Sequence, residues 1–187
     1  DKYFPMYNEI IELTSEEKLL LSLCRPDFTE KQKMEIGEHI KYVKNWDYFL
    51  NLANEHGIIA LCWYNLTKTS NSNNVSTGQM EILHSYYLKN LLRNTFLFKQ
   101  LEEIASLSEK ENIRIVLLKG LALERTVYGN KGIRQMNDID LLVSKDKAVL
   151  LRKILLNNGF ESAPLVSSFH EKIMPVYGKH LPEMYKN

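Results

Sequence analysis

Apolar residues recur at helical spacing from Tyr7 to about Lys110, and this stretch contains no alternating strand pattern. Residues 1–110 are therefore predicted to form a helical N-terminal region. Helix-capping and helix-breaking residues divide this region into five predicted helices. The first follows Thr14 and stops at Arg25-Pro26, and the next three cover Thr29 to Val43, Asn45 to near Gly57, and Ile58 to Thr67. After the polar loop Ser70 to Thr77, a long helix covers Gln79 to Lys110.

The pattern changes at Ile113. The β-branched run Ile113 to Leu118 and the segment Asp138 to Val143, which is apolar apart from its two aspartates, are typical of short strands buried on both faces. The order strand, helix, strand, helix, strand predicts a small α/β domain over residues 111–187. Its other predicted elements are a helix over about Leu121 to Tyr128, a helix capped by Ser144 and ended by Asn158-Gly159, and a strand at Phe160 to Ala163.

Composition is that of a globular protein and narrows the range of partners. Of the 187 residues, 44% are hydrophobic and 25% charged, and the formal net charge is +1, so long nucleic acid is not an expected partner. No apolar stretch reaches the roughly 20 residues that cross a bilayer, so no membrane partner and a cytoplasmic location are expected. Cys24 and Cys62 lack metal or redox spacing, and both are predicted to be core residues.

Asp138 and Asp140 alternate with apolar residues in the second predicted strand. On a strand, both carboxylates would point to one face. Like charges held close together repel unless a cation neutralises them, and hard oxygen ligands favour Mg²⁺ or Mn²⁺. The residue pattern alone leaves open the alternative that Asp138 caps the strand and Asp140 lies on a solvated face.

Lys119, Gly120 and Arg134 precede this pair and indicate a phosphate site. Gly120 ends a predicted strand and opens a helix, where backbone N–H groups can seat a phosphate and Lys119 adds positive charge. Arg134 lies four residues before Asp138, and its guanidinium could clamp a triphosphate oxygen. Surface solvation of Lys119 and Arg134 is the competing interpretation.

Taken together, these motifs resemble the uncharacterised nucleotidyltransferase family of the DNA-polymerase-beta-like nucleotidyltransferase superfamily. Minimal aminoglycoside nucleotidyltransferases also place a glycine-containing turn, an arginine and Asp-x-Asp in this order. The resemblance covers about Leu19 to Phe160, and it rests on Val116 to Leu123 (VLLKGLAL), Arg134, Asp138 to Val143 (DIDLLV), Trp46-Asp47 and His56-Gly57-Ile58.

The resemblance implies an α+β or α/β fold in which the helical N-terminal region packs on a small mixed-sheet nucleotidyltransferase core. It also implies that Asp138 and Asp140 are the catalytic, metal-binding residues and that Gly120 and Arg134 contact the nucleotide. A third carboxylate is normally present on a later strand. Glu161 is a candidate, but the family places this acid later, so it is expected beyond Asn187 and the core is expected to be C-terminally incomplete.

The expected function is that of a metal-dependent nucleotidyltransferase. It would move a nucleoside monophosphate from a nucleoside triphosphate to an unknown hydroxyl acceptor, which could be a small molecule, a protein or an RNA end. The alternative is a catalytically inactive nucleotide-binding or protein-interaction module with the same fold. His170-Glu171 and His180 with Glu183 lack the His-Glu-x-x-His spacing of zinc proteases, and they are predicted to be surface residues.

Overall fold

The computed structural model of the chain describes residues 12–69, 72–163 and 181–186. Contacts divide it into two compact units. The first unit comprises residues up to Asn94 together with Glu124–Met136, and the second comprises Thr95–Leu123 together with residues from Asn137 onward. The chain therefore enters each unit twice, and the residues of the predicted site are divided between the two.

Helices make up most of the first unit, as predicted. They are α1 (Ser15–Leu23), α2 (Glu30–Tyr42), α3 (Trp46–Glu55), α4 (Ile59–Leu66) and the long α5 (Thr77–Lys110), which contributes residues 77–94 to the first unit and 95–110 to the second; a 3₁₀ turn covers Ser72–Asn74. Each helix begins and ends within about two residues of its predicted bounds, because caps and breakers act locally.

Capping residues fix the starts of the first three helices. The Thr14 hydroxyl accepts a hydrogen bond from the Glu17 amide (3.2 Å), and the Glu17 carboxylate accepts one from the Thr14 amide (2.8 Å). Thr29 and Gln32 repeat this capping box at α2, and the Asn45 side chain caps α3. Each cap satisfies amides that the first helical turn leaves without a partner.

Leucine and phenylalanine side chains from several helices form the core of the first unit. Leu19, Leu23, Phe49 and Leu83 are fully buried within it. Glu16 is buried among polar neighbours at its edge, where the carboxylate accepts hydrogen bonds from the amides of Lys44 and Asn45, both 2.8 Å.

The two cysteines differ in burial, so one of the two predictions about them is wrong. Cys62 lies in α4 with no exposed surface, as predicted. Cys24 is exposed, because it is the residue that caps the C-terminus of α1, beyond the last residue on the buried face of that helix, Leu23.

Two short antiparallel strand pairs and two helices accompany the end of α5 in the second unit. These elements are β1 (Ile115–Leu117) paired with β2 (Leu141–Val143), β3 (Glu161–Ser162) paired with β4 (Met184–Tyr185), α6 (Lys119–Leu123) and α7 (Lys145–Asn157). The α+β class is confirmed. The described residues form antiparallel pairs and no mixed sheet, so the specific core arrangement stays a prediction.

One face of the β1–β2 pair packs on the core of the second unit, and the other is exposed. Leu151, Leu155 and Phe160 pack against the inner face, whereas Val116 is 48% exposed and Leu142 is 56% exposed on the outer face. The prediction of strands buried on both faces is therefore wrong, because among the described residues helices cover one face alone.

A π-helical turn over Glu124–Tyr128 follows α6, where a continuous α-helix was predicted. Within the described ranges, no helix is both long and apolar enough to cross a membrane.

Candidate functional site

Asp138 and Asp140 lie immediately before β2, so the prediction that both belong to the strand is wrong. Strand pairing nevertheless continues one step past β2, since the Leu118 amide donates a hydrogen bond to the Asp140 carbonyl (3.0 Å). Opposed residues of an antiparallel pair project to the same face. Asp140 therefore lies on the outer face of the β1–β2 pair, together with Leu118 and Leu142. Asp138, two residues before Asp140, is exposed.

Lys119 is held against Asp140 in the second unit. Its ammonium donates a hydrogen bond to Asp140 Oδ1 at 2.9 Å, with 69% of the lysine side chain and 26% of the aspartate side chain exposed. The hydrogen bond and charge of Asp140 raise the pKa of Lys119, and the charge of Asp138 adds to this shift. One cation and two carboxylates are thus gathered at the end of the β1–β2 pair.

The backbone at this turn is left-handed at Lys119, with φ of 47°. This conformation is unfavourable for a residue with a side chain. Gly120, where glycine would be expected to supply such a φ, is the second residue of α6 and is not among the residues with positive φ. Because α6 has five residues, its aligned peptides add little dipole, and the phosphate seat at Gly120 stays a prediction.

Arg134 belongs to the first unit, in the segment between the π turn and Met136. Its side chain is half-buried, its guanidinium carbon lies 6.0 Å from the centre of the Tyr128 ring, and its Nε is buried with no hydrogen-bond partner among the described residues. Ile133 and Met136, on either side of Arg134, are buried. Buried side chains therefore hold the backbone on both sides of Arg134.

Two residues of α5 that are not among the predicted site residues hold this segment. Asn94 has no exposed surface, and its Nδ2 donates hydrogen bonds to the carbonyls of Lys131 (2.5 Å) and Arg134 (2.7 Å). The Tyr87 hydroxyl donates to Asn130 Oδ1 at 3.1 Å. A signal for Asn94 existed, since this polar residue lies four positions before Phe98 on the apolar stripe of a long helix.

The carboxylate oxygens of Asp138 and Asp140 are donor atoms that suit a hard divalent cation, and Asp140 is paired with the ammonium of Lys119. Among the described residues no group of three or more His, Cys, Asp or Glu side chains is placed to hold a metal ion. Glu161 is on β3, where its carboxylate accepts a hydrogen bond from the Tyr185 hydroxyl. His170, Glu171 and His180 lie outside the described residues.

Comparison of the chain with protein-family models gave a match over most of its length. A family model described as an uncharacterised nucleotidyltransferase matches residues 43–185, which include Lys119, Gly120, Arg134 and both aspartates. The comparisons with curated proteins and with solved structures gave no match. Since the matched segment spans well over half of the sequence, the chain belongs to this family of uncharacterised nucleotidyltransferases.

Proposed function

We propose that the protein transfers a nucleoside monophosphate from a nucleoside triphosphate to a hydroxyl acceptor, with Mg²⁺ or Mn²⁺ bound by Asp138 and Asp140. The observation that carries the proposal is a pair of carboxylates within the segment matched by the family. Asp138 is exposed, and Asp140 is partly exposed with the Lys119 ammonium at 2.9 Å. A bound divalent cation supplies charge neutralisation at the triphosphate and helps to align the acceptor. The acceptor oxygen forms a bond to the α-phosphorus, and pyrophosphate leaves.

Lys119 is proposed to exchange partners when the substrate binds. In the absence of a divalent cation its ammonium is the counter-charge of Asp140. If Asp138 and Asp140 held a divalent cation, the Lys119 ammonium would leave Asp140 because like charges repel, and its long exposed side chain could then bind a phosphate oxygen. The same lysine thereby stabilises the metal-free protein and contributes to nucleotide binding.

Arg134 is proposed to bind the triphosphate. It lies four residues before Asp138, so the length of the chain alone keeps the two α-carbons within about 14 Å. A guanidinium can donate two parallel hydrogen bonds to phosphate oxygens, which fixes orientation as well as affinity. Gly120 is proposed to let the backbone approach the same phosphates, since it has no side chain to obstruct them.

The acceptor is proposed to be a small molecule, a protein or an RNA end. A net charge of +1 gives no general attraction for a long phosphate backbone. Selection of the acceptor must therefore depend on local contacts rather than on the overall charge of the protein.

A catalytically inactive nucleotide-binding or protein-interaction module is the second candidate. It is favoured by one observation, that the described residues contain no third acidic side chain grouped with Asp138 and Asp140. Such a protein would still bind a metal–nucleotide complex but would release no pyrophosphate.

The test is a transfer assay with nucleoside triphosphates labelled at the α-phosphate. Each of the four ribonucleotides is incubated with protein, Mg²⁺ or Mn²⁺ and fractionated cell extract. We expect one nucleotide to yield a labelled product together with pyrophosphate, and we expect Asp138→Asn and Asp140→Asn to yield neither. Asp146→Asn, at an exposed acid in the first turn of α7, is the matched control and should retain activity.

Three outcomes of this assay separate the candidates. Label that stays in the nucleotide although nucleotide binds to the protein favours the inactive module. Label transfer that survives both aspartate substitutions contradicts the proposed site. A protein that neither binds nor transfers any of the four nucleotides contradicts both candidates.

A further inference from the structure

Asn94 joins α5 to the segment that carries Arg134, and all of these residues belong to the first unit. The carboxamide is fully buried, and its single Nδ2 group donates to two carbonyls, those of Lys131 and Arg134. The second of these is the carbonyl of the proposed nucleotide-binding residue itself. Asn94 therefore fixes the backbone from which the Arg134 side chain begins.

Tyr87 holds the same segment from a position two turns earlier on α5. Its hydroxyl donates to Asn130 Oδ1, which also accepts a hydrogen bond from the Gly132 amide at 2.9 Å. The Tyr87 ring occupies the space that a Cβ at Gly132 would need. Two side chains of one helix thus hold the Arg134 segment both by hydrogen bonds and by close packing.

We infer that Asn94 is a positioning residue for nucleotide binding, acting through Arg134. The inference rests on the proposed function and adds to it a residue that does not touch the substrate. An arginine that starts from a mobile backbone must lose that freedom when it binds phosphate, whereas one on a fixed backbone has already lost it. Without the two hydrogen bonds from Asn94, nucleotide affinity should fall while the rest of the site is unchanged.

Asn65 provides a matched control within the same unit. It is also fully buried, and its Nδ2 also donates to two carbonyls, those of Leu23 and Arg25, each at 2.8 Å. In both asparagines Oδ1 is buried without a hydrogen-bond partner among the described residues. The segment that Asn65 holds, at the end of α1, carries none of the proposed site residues. Asn65→Ala therefore shows how much nucleotide binding changes when stability alone is lost.

The experiment compares Asn94→Ala with Asn65→Ala in the full chain. Affinity is measured by calorimetry with ATP, GTP, CTP and UTP, each with Mg²⁺, and the nucleotide that wild type binds most tightly is the probe. Asn94→Ala should weaken binding about tenfold, as a displaced binding group does, and Asn65→Ala should leave it within twofold. Tyr87→Phe, which removes one hydroxyl and is the milder variant, should weaken binding in the same direction by less.

A double-mutant cycle tests whether Asn94 acts through Arg134. In an Arg134→Ala background, Asn94→Ala should cause no further loss of affinity, because the group that it positions is gone. An independent additional loss, or equal losses in Asn94→Ala and Asn65→Ala, would overturn the inference.

Amide hydrogen exchange separates failure of the inference from failure of the proposed function, because it needs no nucleotide. Asn94→Ala should accelerate exchange at residues 131–134, and Asn65→Ala should not. Unchanged exchange there would refute the positioning role whatever the binding data show. Accelerated exchange in a protein that binds none of the four nucleotides would refute the proposed function, and with it the link from Asn94 to nucleotide binding.

Discussion

Asparagine in place of Asp138 or Asp140 keeps the shape of the side chain and removes its charge. If these carboxylates bind a metal–nucleotide complex, both variants should lose the thermal stabilisation that Mg²⁺ and a nucleoside triphosphate give to the wild-type protein. Their melting temperatures without metal should barely change, because among the described residues the one contact of these two side chains is the ion pair of Asp140 with Lys119.

The expected changes in stability follow from the exposure of the two aspartates and the distance between them. Two residues apart in an extended chain, the aspartates are separated by about 7 Å, and two charges at that distance in water repel by about 0.6 kcal/mol before salt screens them. Asp138 is exposed, so Asp138→Asn should change the free energy of unfolding by about 0.5 kcal/mol or less, or about 1 to 2 °C. Nucleotide at about 100 times its Kd should add about 2.7 kcal/mol, or about 5 to 10 °C.

The two variants should also differ from each other. Asp140→Asn gives up the charge that holds Lys119, whereas Asp138→Asn leaves that hydrogen bond in place. The metal-free melting temperature of Asp140→Asn should therefore lie slightly below that of Asp138→Asn. Both should lie close to the melting temperature of wild type.

Differential scanning fluorimetry with and without Mg²⁺ and each of the four ribonucleotides measures these shifts. Asp146→Asn should respond to nucleotide as wild type does. A structural carboxylate would behave differently, since losing its hydrogen bonds costs about 1 to 3 kcal/mol. If either variant melts well below wild type without metal, and wild type gains nothing from any nucleotide, the carboxylates are structural and do not bind a metal–nucleotide complex.

The metal-free melting temperature of Lys119→Gly should be higher than that of Lys119→Ala, because glycine tolerates the φ of 47°. Equal melting temperatures would argue against the left-handed turn. Both variants should weaken nucleotide binding in calorimetry. One thiol should react with a disulfide reagent in the native protein, Cys24, and the second only in denaturant, since burial raises the pKa of Cys62 far above its ordinary range. Backbone hydrogen bonds, the one from the Asn45 amide foremost, lower the pKa of Glu16 below 4.5. The contribution of the Glu16 charge to the free energy of unfolding is therefore full above that pH, and it is lost as the pH falls through the lowered pKa. The stability difference between wild type and Glu16→Gln, measured by urea unfolding, should therefore shrink in acid and would contradict this if it grew.

Helix positions could be predicted from the sequence because their determinants are local. Thr14, Thr29 and Asn45 each act on amides within three residues, and each begins a helix where the sequence places it. Strand lengths depend on a partner far away in sequence. β2 therefore begins at Leu141 rather than at Asp138, because among the described residues the pairing beyond Leu117 and Leu141 is reduced to one hydrogen bond, from the Leu118 amide to the Asp140 carbonyl.

The residues of the candidate site stay a prediction from the sequence, and their geometry could not be predicted. The order of Lys119, Gly120, Arg134 and the aspartates is a property of sequence, and the family match includes all of them. The left-handed backbone at Lys119 has no sequence signal, because lysine is not a residue that favours it. The contact of Lys119 with Asp140 depends on strand register, which is set by pairing across 21 residues.

Water reaches the outer face of the β1–β2 pair, where Asp140 lies beside the exposed side chains of Val116 and Leu142. Water also carries a hydroxyl, and it is smaller and more abundant than any biological acceptor. If the proposed transfer takes place on this face as the described residues leave it, exclusion of solvent cannot suppress hydrolysis of the nucleotide. The preference for transfer would then come from how firmly the acceptor is held against the α-phosphorus, so the acceptor would decide whether the reaction ends in a modified molecule or in free nucleoside monophosphate.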